Sequence, residues 1–152
     1  MSEYRTHNCG ELSIKNVGQE VKLAGWVAKV RDLGKMQFID LRDQFGITQI
    51  VVSEDIKPQM KDVTTECTIS VEGKVVERSN KNEKIATGEI ELEAKVIEVL
   101  GKCKNVLPFE VNSDKNDARE DLRLEYRFLD LRNEKLHNTI LLRSQVLKTL
   151  RD

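Results

Sequence analysis

From residue 20 to about residue 100, apolar and polar positions alternate with period two, and turn residues interrupt the alternation every ten or so positions. That rhythm predicts a small antiparallel barrel or sandwich. Val21 and Leu23 share one face of the first strand. Past Gly25 the apolar parity passes to Trp26, Ala28 and Val30, as in a strand that bulges or coils sharply at a glycine. The second strand, Met36 to Arg42, puts Ile39 and Leu41 on one face and Met36, Phe38 and Asp40 on the other. After the turn Asp43-Gln44-Phe45-Gly46, the third strand runs from Ile47 to Val52. There Thr48, Ile50 and Val52 alternate with Ile47, Gln49 and Val51, so Gln49 points away from Ile50.

Residues 53 to 66 change period. Ile56, Met60 and Val63 recur at helical spacing, with Ser53 as N-cap and Pro58 in the first turn, which predicts a short helix. The fourth strand, about Thr68 to Glu77, turns Ile69, Val71, Gly73 and Val75 inward. The fifth, about Glu89 to Leu100, turns Ile90, Leu92, Ala94 and Val96 inward. Five strands with a helix between the third and fourth is the order of the OB-fold barrel, whose ligand face uses strands two and three and the loops joining strands one to two and four to five. Residues 1–104 are thus expected to form the barrel, and 105–116, with Leu107-Pro108, an extended linker. Residues 117–152 form two helices, about 117–129 and 134–152, spaced by Leu122, Tyr126 and Leu129, then Leu136, Ile140, Leu147 and Leu150. The second has no stop signal after Leu150, which reads as a chain cut from something longer.

Charge sharpens this picture. The 152 residues carry 25 Lys and Arg against 26 Asp and Glu, a net charge of -1, so any basic surface must be local. Residues 22–42 hold Lys22, Lys29, Arg31, Lys35 and Arg42 against Asp32 and Asp40. Residues 74–84 hold Lys74, Arg78, Lys81 and Lys84 against Glu77 and Glu83. These windows lie on the two ligand loops, and would form a phosphate-sized positive surface if they met in space. The longest apolar stretches are only a few residues, and the N-terminus lacks the pattern of an export or transit segment, so no membrane and a cytoplasmic location are expected. Three cysteines, at 9, 67 and 103, without a C-x-x-C pair, read as reduced thiols. His7 with Cys9 makes only half a metal site, and no catalytic signature is present.

Binding chemistry is better supplied. Single strands are held by a cationic groove and by aromatic rings on which unpaired bases stack. Phe38 offers such a ring on a polar strand face. Gln49 on the neighbouring strand offers a donor and an acceptor, Arg31 and Arg78 can fork onto phosphate or a base edge, and Glu91 can only accept.

At these residues the chain resembles a known family. Arg5-Thr6-His7-x-Cys9-Gly10-Glu11-Leu12, the run from Val17 to Val27, Arg31-Asp32-Leu33-Gly34, Phe38-Ile39-Asp40-Leu41-Arg42-Asp43-x-x-Gly46-Ile47-x-Gln49 and Ala86-Thr87-Gly88-Glu89-Ile90-Glu91 are similar to the N-terminal anticodon-binding domain of bacterial-type aspartyl-tRNA synthetase. Leu107-Pro108 and the run from Leu122 to Arg132 resemble that family's hinge and the entry to its class II catalytic domain. The Gly25-Trp26-Val27 stretch alone also fits the related asparaginyl and lysyl enzymes. The resemblance implies that Phe38 stacks on the middle anticodon base, a uridine, that Gln49 hydrogen-bonds it, and that Glu91 meets the wobble guanine. It further implies that Arg31, Arg78 and Asn82 serve phosphates and the third base. Two departures, Val30 between Lys29 and Arg31 and Val76 where the family has Arg, imply thinner phosphate contact. Leu33 stands where relaxed enzymes that also charge the asparagine tRNA carry His, which implies strict specificity for the aspartate tRNA. The implied partner is the anticodon stem-loop of tRNA(Asp). The implied parent is a homodimeric ligase using ATP and Mg2+, and this segment holds neither cofactor and no complete catalytic motif. The alternatives from other classes are a general single-strand-binding OB module and an interaction module working through its C-terminal helix.

Overall fold

The computed structural model describes residues 3–104, 106–111 and 118–152 and falls into two compact units, Met1–Lys104 and Asn105–Asp152. In the first unit five strands, β1 (Glu20–Asp32), β2 (Gln37–Arg42), β3 (Ile47–Val52), β4 (Thr68–Glu77) and β5 (Ile90–Gly101), close a barrel in the order β1-β2-β3-β5-β4. All pairings are antiparallel except β3 with β5. This is the mainly β, OB-type barrel that the alternation predicts. The interior is filled by Leu23, Val27, Ile39, Leu41, Ile50, Ile69, Val71 and Leu92, all fully buried. Each such side chain contributes about 1.5–3 kcal/mol by leaving water.

The inward set differs from the expected one at two strands. In β1 the parity does not change at Gly25, since Val21, Leu23, Gly25 and Val27 are all buried while Trp26 and Ala28 are only half-buried. The change comes three residues later, because Val27 pairs with Leu41 but Lys29 with Asp40, leaving Ala28 as the extra residue of a bulge. Gly25 has a different task. It sits where β1 leaves β4 for β2, and a Cβ there would lie 2.3 Å from the Arg42 carbonyl oxygen. The glycine thus permits the sharp coil and not the flip. In β5, Ile90, Leu92 and Ala94 point inward as expected, but Val96 is exposed and Ile97 takes its place. Gly73 faces Ala94 and Glu72 faces Val96, so Lys95 is a second unpaired bulge residue that shifts the phase.

Between β3 and β4 the expected helix shrinks to one 3-10 turn, Lys57–Met60. Ser53 does not cap it with its side chain. Its carbonyl accepts from the Ile56 and Lys57 amides, and Ile56, Met60 and Val63 still reach the core. The second unit holds α1 (Glu120–Glu125), α2 (Arg127–Asp130) and α3 (Glu134–Arg151). The single helix expected over 117–129 is interrupted at Tyr126 (φ -103°, ψ 44°), and its expected start at Asp117 lies outside the described residues. Arg123 and Arg127 both hold the fully buried Asp130 carboxylate, which fixes the break.

Candidate nucleic-acid interface

Strand pairing alone arranges the outer face of the barrel. The turn in which the Asp43 amide donates to the Gly46 carbonyl sets Phe38 opposite Val51 and Asp40 opposite Gln49. The bulge at Ala28 sets Lys29 opposite Asp40 and Arg31 opposite Phe38. One row across the sheet is therefore Lys29, Asp40 and Gln49, and the next is Arg31, Phe38, Val51 and Glu93. Parallel pairing of β5 on β3 brings Glu91 beside Gln49.

Four of the seven candidates meet in one cluster. An Arg31 Nη donates to Asp40 Oδ1 at 2.6 Å and to Gln49 Oε1 at 3.1 Å, and Gln49 Nε2 donates to Glu91 Oε2 at 2.9 Å. The Arg31 guanidinium also lies 6.0 Å from the centre of the Phe38 ring, at cation–π distance. Phe38 is half-buried, on the outward face that the alternation assigned to it, so its ring is not part of the barrel core. Gln49 is 4% exposed and not a solvated amide, because β5 covers it from one side and Arg31 from the other. The Nε of Arg31 is buried and has no hydrogen-bond partner among the described residues. An unmet buried donor costs about 1–3 kcal/mol.

The remaining three candidates sit in the two loops and make no hydrogen bond or ion pair with that cluster among the described residues. Leu33 is 72% exposed at the tip between β1 and β2. Its loop is held from below. Asp32 accepts from the Gly34 amide at 2.9 Å and from Gln37 Nε2 at 2.8 Å, and Lys57 donates to the Gly34 carbonyl. The Gln37 hydrogen bond, with the Gly34 amide and Lys57 adding to it, holds the Asp32 carboxyl below its ordinary range. Arg78 follows β4, with its amide donating to Glu89. Asn82 accepts from the Lys84 amide through its side chain, while its backbone amide donates to the Gly88 carbonyl at 2.9 Å. A Cβ on Gly88 would lie 1.7 Å from the Asn82 carbonyl oxygen, so this loop is closed on itself by a glycine. Thr87 pins it to the barrel by donating to the Ile47 carbonyl.

The two basic windows flank the cluster without merging into one patch. The β1–β2 loop adjoins the Gln37–Val52 end of the β2–β3 ladder, whereas Thr87 fixes the β4–β5 loop at the Arg42–Ile47 end. Much of their charge is also met internally. Lys22 pairs with Glu72, Arg31 with Asp40, Arg42 with the buried Glu66, and Lys81 with Glu77 and Glu89. Lys29, Lys35, Arg78 and Lys84 make no ion pair among the described residues.

Sequence reasoning overlooked Asp40, the acid that holds Arg31, and Lys57 and Thr87, which hold the two loops. Asp40 had a usable signal, because the turn at 43–46 places it directly across from Gln49. Elsewhere, Cys9 is buried with its amide donating to Asp43, and burial pushes its thiol far above the ordinary range. Its neighbour His7 contacts the Thr6 hydroxyl at 2.9 Å. No helix among the described residues is long and apolar enough to cross a membrane.

Known proteins resemble both the whole chain and its barrel. The chain is 48% identical over 147 residues to the aspartate-tRNA ligase of Mesoplasma florum, covering 97% of this chain and 25% of that protein. It is 50% identical over 156 residues to the aspartate-tRNA(Asp/Asn) ligase of Rickettsia canadensis, covering 99% and 26%. It thus spans about a quarter of the length of the curated relatives it matches. Among solved structures, the asparaginyl-tRNA synthetase of Pyrococcus horikoshii in complex with asparaginyl-adenylate superposes with a TM-score of 0.78 at 27% identity, over 95% of this chain and 33% of that one. Residues 21–100, the barrel from β1 to β5 that carries the cluster and both loops, match the tRNA anti-codon family model, and the chain belongs to this family of OB-fold nucleic acid binding domains.

Proposed function

We propose that the outer face of β1, β2, β3 and β5 reads the anticodon of an aspartate tRNA on behalf of a longer aspartate-tRNA ligase. The observation that carries this reading is the cluster itself, in which a ring free of the core, Phe38, lies beside a buried amide, Gln49, whose donor and acceptor are aimed by Glu91 and Arg31. A base stacked on Phe38 brings its Watson–Crick edge to Gln49, which suits the uridine at the middle anticodon position. Glu91, an acceptor, meets the amino and imino protons of the guanine at the wobble position. Arg31, Arg78 and Asn82 serve phosphates and the third base, with Leu33 favouring cytidine there over uridine and so the aspartate over the asparagine tRNA. The relatives include ligases named for tRNA(Asp) and for tRNA(Asp/Asn) at similar identity, so this last step rests on the chemistry of Leu33.

The same kinship supports, for a longer parent protein, ligase activity that uses ATP and Mg2+, a homodimeric state and a cytoplasmic location. Among the described residues no three His, Cys, Asp or Glu side chains are grouped to hold a metal ion. The test compares binding of an aspartate-type anticodon stem-loop with an unstructured oligonucleotide of the same bases. Preference for the stem-loop is expected. Equal binding would identify a general single-strand module instead, and no binding of either would point to a protein-interaction role.

A further inference from the structure

We infer that Asp40 is a specificity-determining positioning residue, which acts by locking the orientation of the Gln49 side-chain amide; this rests on the anticodon reading above. A glutamine amide is nearly symmetric in shape but not in chemistry, and turning it over exchanges an acceptor for a donor at each position. Here the two ends are told apart by their neighbours. Arg31 can only donate, so it fixes Oε1 on its side at 3.1 Å, and the Glu91 carboxylate accepts from Nε2 and so fixes it on its side at 2.9 Å. Arg31 is itself held by the Asp40 carboxylate at 2.6 Å, and Asp40 stands directly opposite Gln49 across the β2–β3 ladder. The relay therefore runs Asp40, Arg31, Gln49, Glu91, alternating acceptor, donor, amide and acceptor, and it is complete without any bound ligand.

The consequence for base reading is direct. After these two bonds Gln49 retains one acceptor lone pair on Oε1 and one hydrogen on Nε2. Uracil presents at positions 4 and 3 of its ring an acceptor and then a donor, and cytosine presents a donor and then an acceptor. With the ring placed by stacking on Phe38, one amide orientation fits uracil and the opposite one fits cytosine. Whatever prevents the amide from turning over thus sets the choice between the two pyrimidines. Asp40 does this without touching the base, since losing its charge releases Arg31 from Oε1 and leaves only Glu91 to orient Gln49.

The experiment uses the 152-residue chain, with two stem-loops differing only by uridine or cytidine at the middle anticodon position. The unmodified chain should favour uridine by roughly tenfold, the size of one well-formed two-point contact. Asp40→Ala should lower that ratio to about two- or threefold, chiefly by raising affinity for the cytidine loop, and Asp40→Glu, which restores a carboxylate, should recover most of it. A second readout needs no RNA. The Gln49 side-chain amide protons should give distinct, slowly exchanging NMR signals in the unmodified chain and move toward the free-amide position in Asp40→Ala. If the unmodified chain discriminates but Asp40→Ala weakens both loops equally and leaves the ratio intact, the positioning role is overturned while the anticodon reading stands. If the unmodified chain does not discriminate, both fall. Unchanged Gln49 signals in Asp40→Ala would also overturn the role, however the RNA behaves.

Discussion

Replacing Phe38 by alanine separates binding from folding more cleanly than any other change on this face. The ring is outside the barrel core, and its neighbours are the cross-strand Val51 and the Arg31 guanidinium at 6.0 Å. A cross-strand aromatic pair contributes about 0.2–1 kcal/mol, and a cation–π contact at a partly exposed site about 0.5–1 kcal/mol. Phe38→Ala should therefore lower the unfolding free energy by about 1–2 kcal/mol, well short of the roughly 3–5 kcal/mol lost when a core phenylalanine is truncated. The loss of a stacked base should cost about 1–3 kcal/mol of binding, or roughly five-fold to more than a hundred-fold in Kd, and to a similar degree for any middle base, because every base has a face to stack. Urea titration followed by the fluorescence of the single tryptophan, Trp26, gives the first quantity, and anisotropy of a labelled stem-loop gives the second. A stability loss above about 3 kcal/mol with unchanged affinity of the folded fraction would refute the reasoning, since it would make Phe38 a packing residue.

Three further outcomes are expected. Gly88→Ala forces the β4–β5 loop open, breaking the Asn82–Gly88 and Gly88–Ile85 hydrogen bonds at about 1 kcal/mol each; amide exchange at residues 82 and 88 should accelerate while the β4 amides stay protected, and unchanged exchange would show the loop tolerates a side chain. Leu33→His should raise binding of stem-loops ending in uridine relative to cytidine at the third base, because a histidine can donate to a uridine carbonyl and a leucine cannot; an unaltered ratio would remove Leu33 from the specificity argument. The Asp32 carboxyl is held below its ordinary value of 3.8 in the folded chain, so the order that it gives to the Leu33 loop is present above that value and is lost as pH falls through the lower folded one. The Gly34 amide resonance should accordingly stay constant from pH 8 to 4 and move only below; a transition above pH 4 would assign the loop to another group.

The middle of the barrel was the most legible part of the sequence. β3 and β4 coincide with the expected Ile47–Val52 and Thr68–Glu77, because turn and polar loop residues mark their ends. Legibility failed where a strand contains one residue more than its partner. Neither Ala28 nor Lys95 breaks the local alternation, so the bulges appear only when the opposing strand is in place, and alternation alone puts Trp26 and Val96 on the wrong face. The helix after β3 was over-read, since the spacing of Ile56, Met60 and Val63 is met equally by a 3-10 turn with extended flanks that reach the same core. The interface showed the same limit. The types and faces of Phe38, Gln49 and Glu91 followed from alternation, but the burial of Gln49 depends on β5 closing beside β3, a contact between strands forty residues apart that no local pattern encodes.

The bulge at Ala28 makes the interface a matter of counting. Up to Val27 the odd-numbered residues of β1 point into the barrel, and at that parity Arg31 would be driven into the apolar interior. One extra residue turns it to the surface and sends Val30 inward against Ile39 in its place. Four steps along β1, from Val27 to Arg31, face only three along β2, from Leu41 to Phe38. Loss of Ala28 would therefore leave a regular ladder with Lys29 still against Asp40, Val30 against Ile39 and Arg31 against Phe38. What the extra residue adds is local coiling, so β1 bends where the arginine meets the ring.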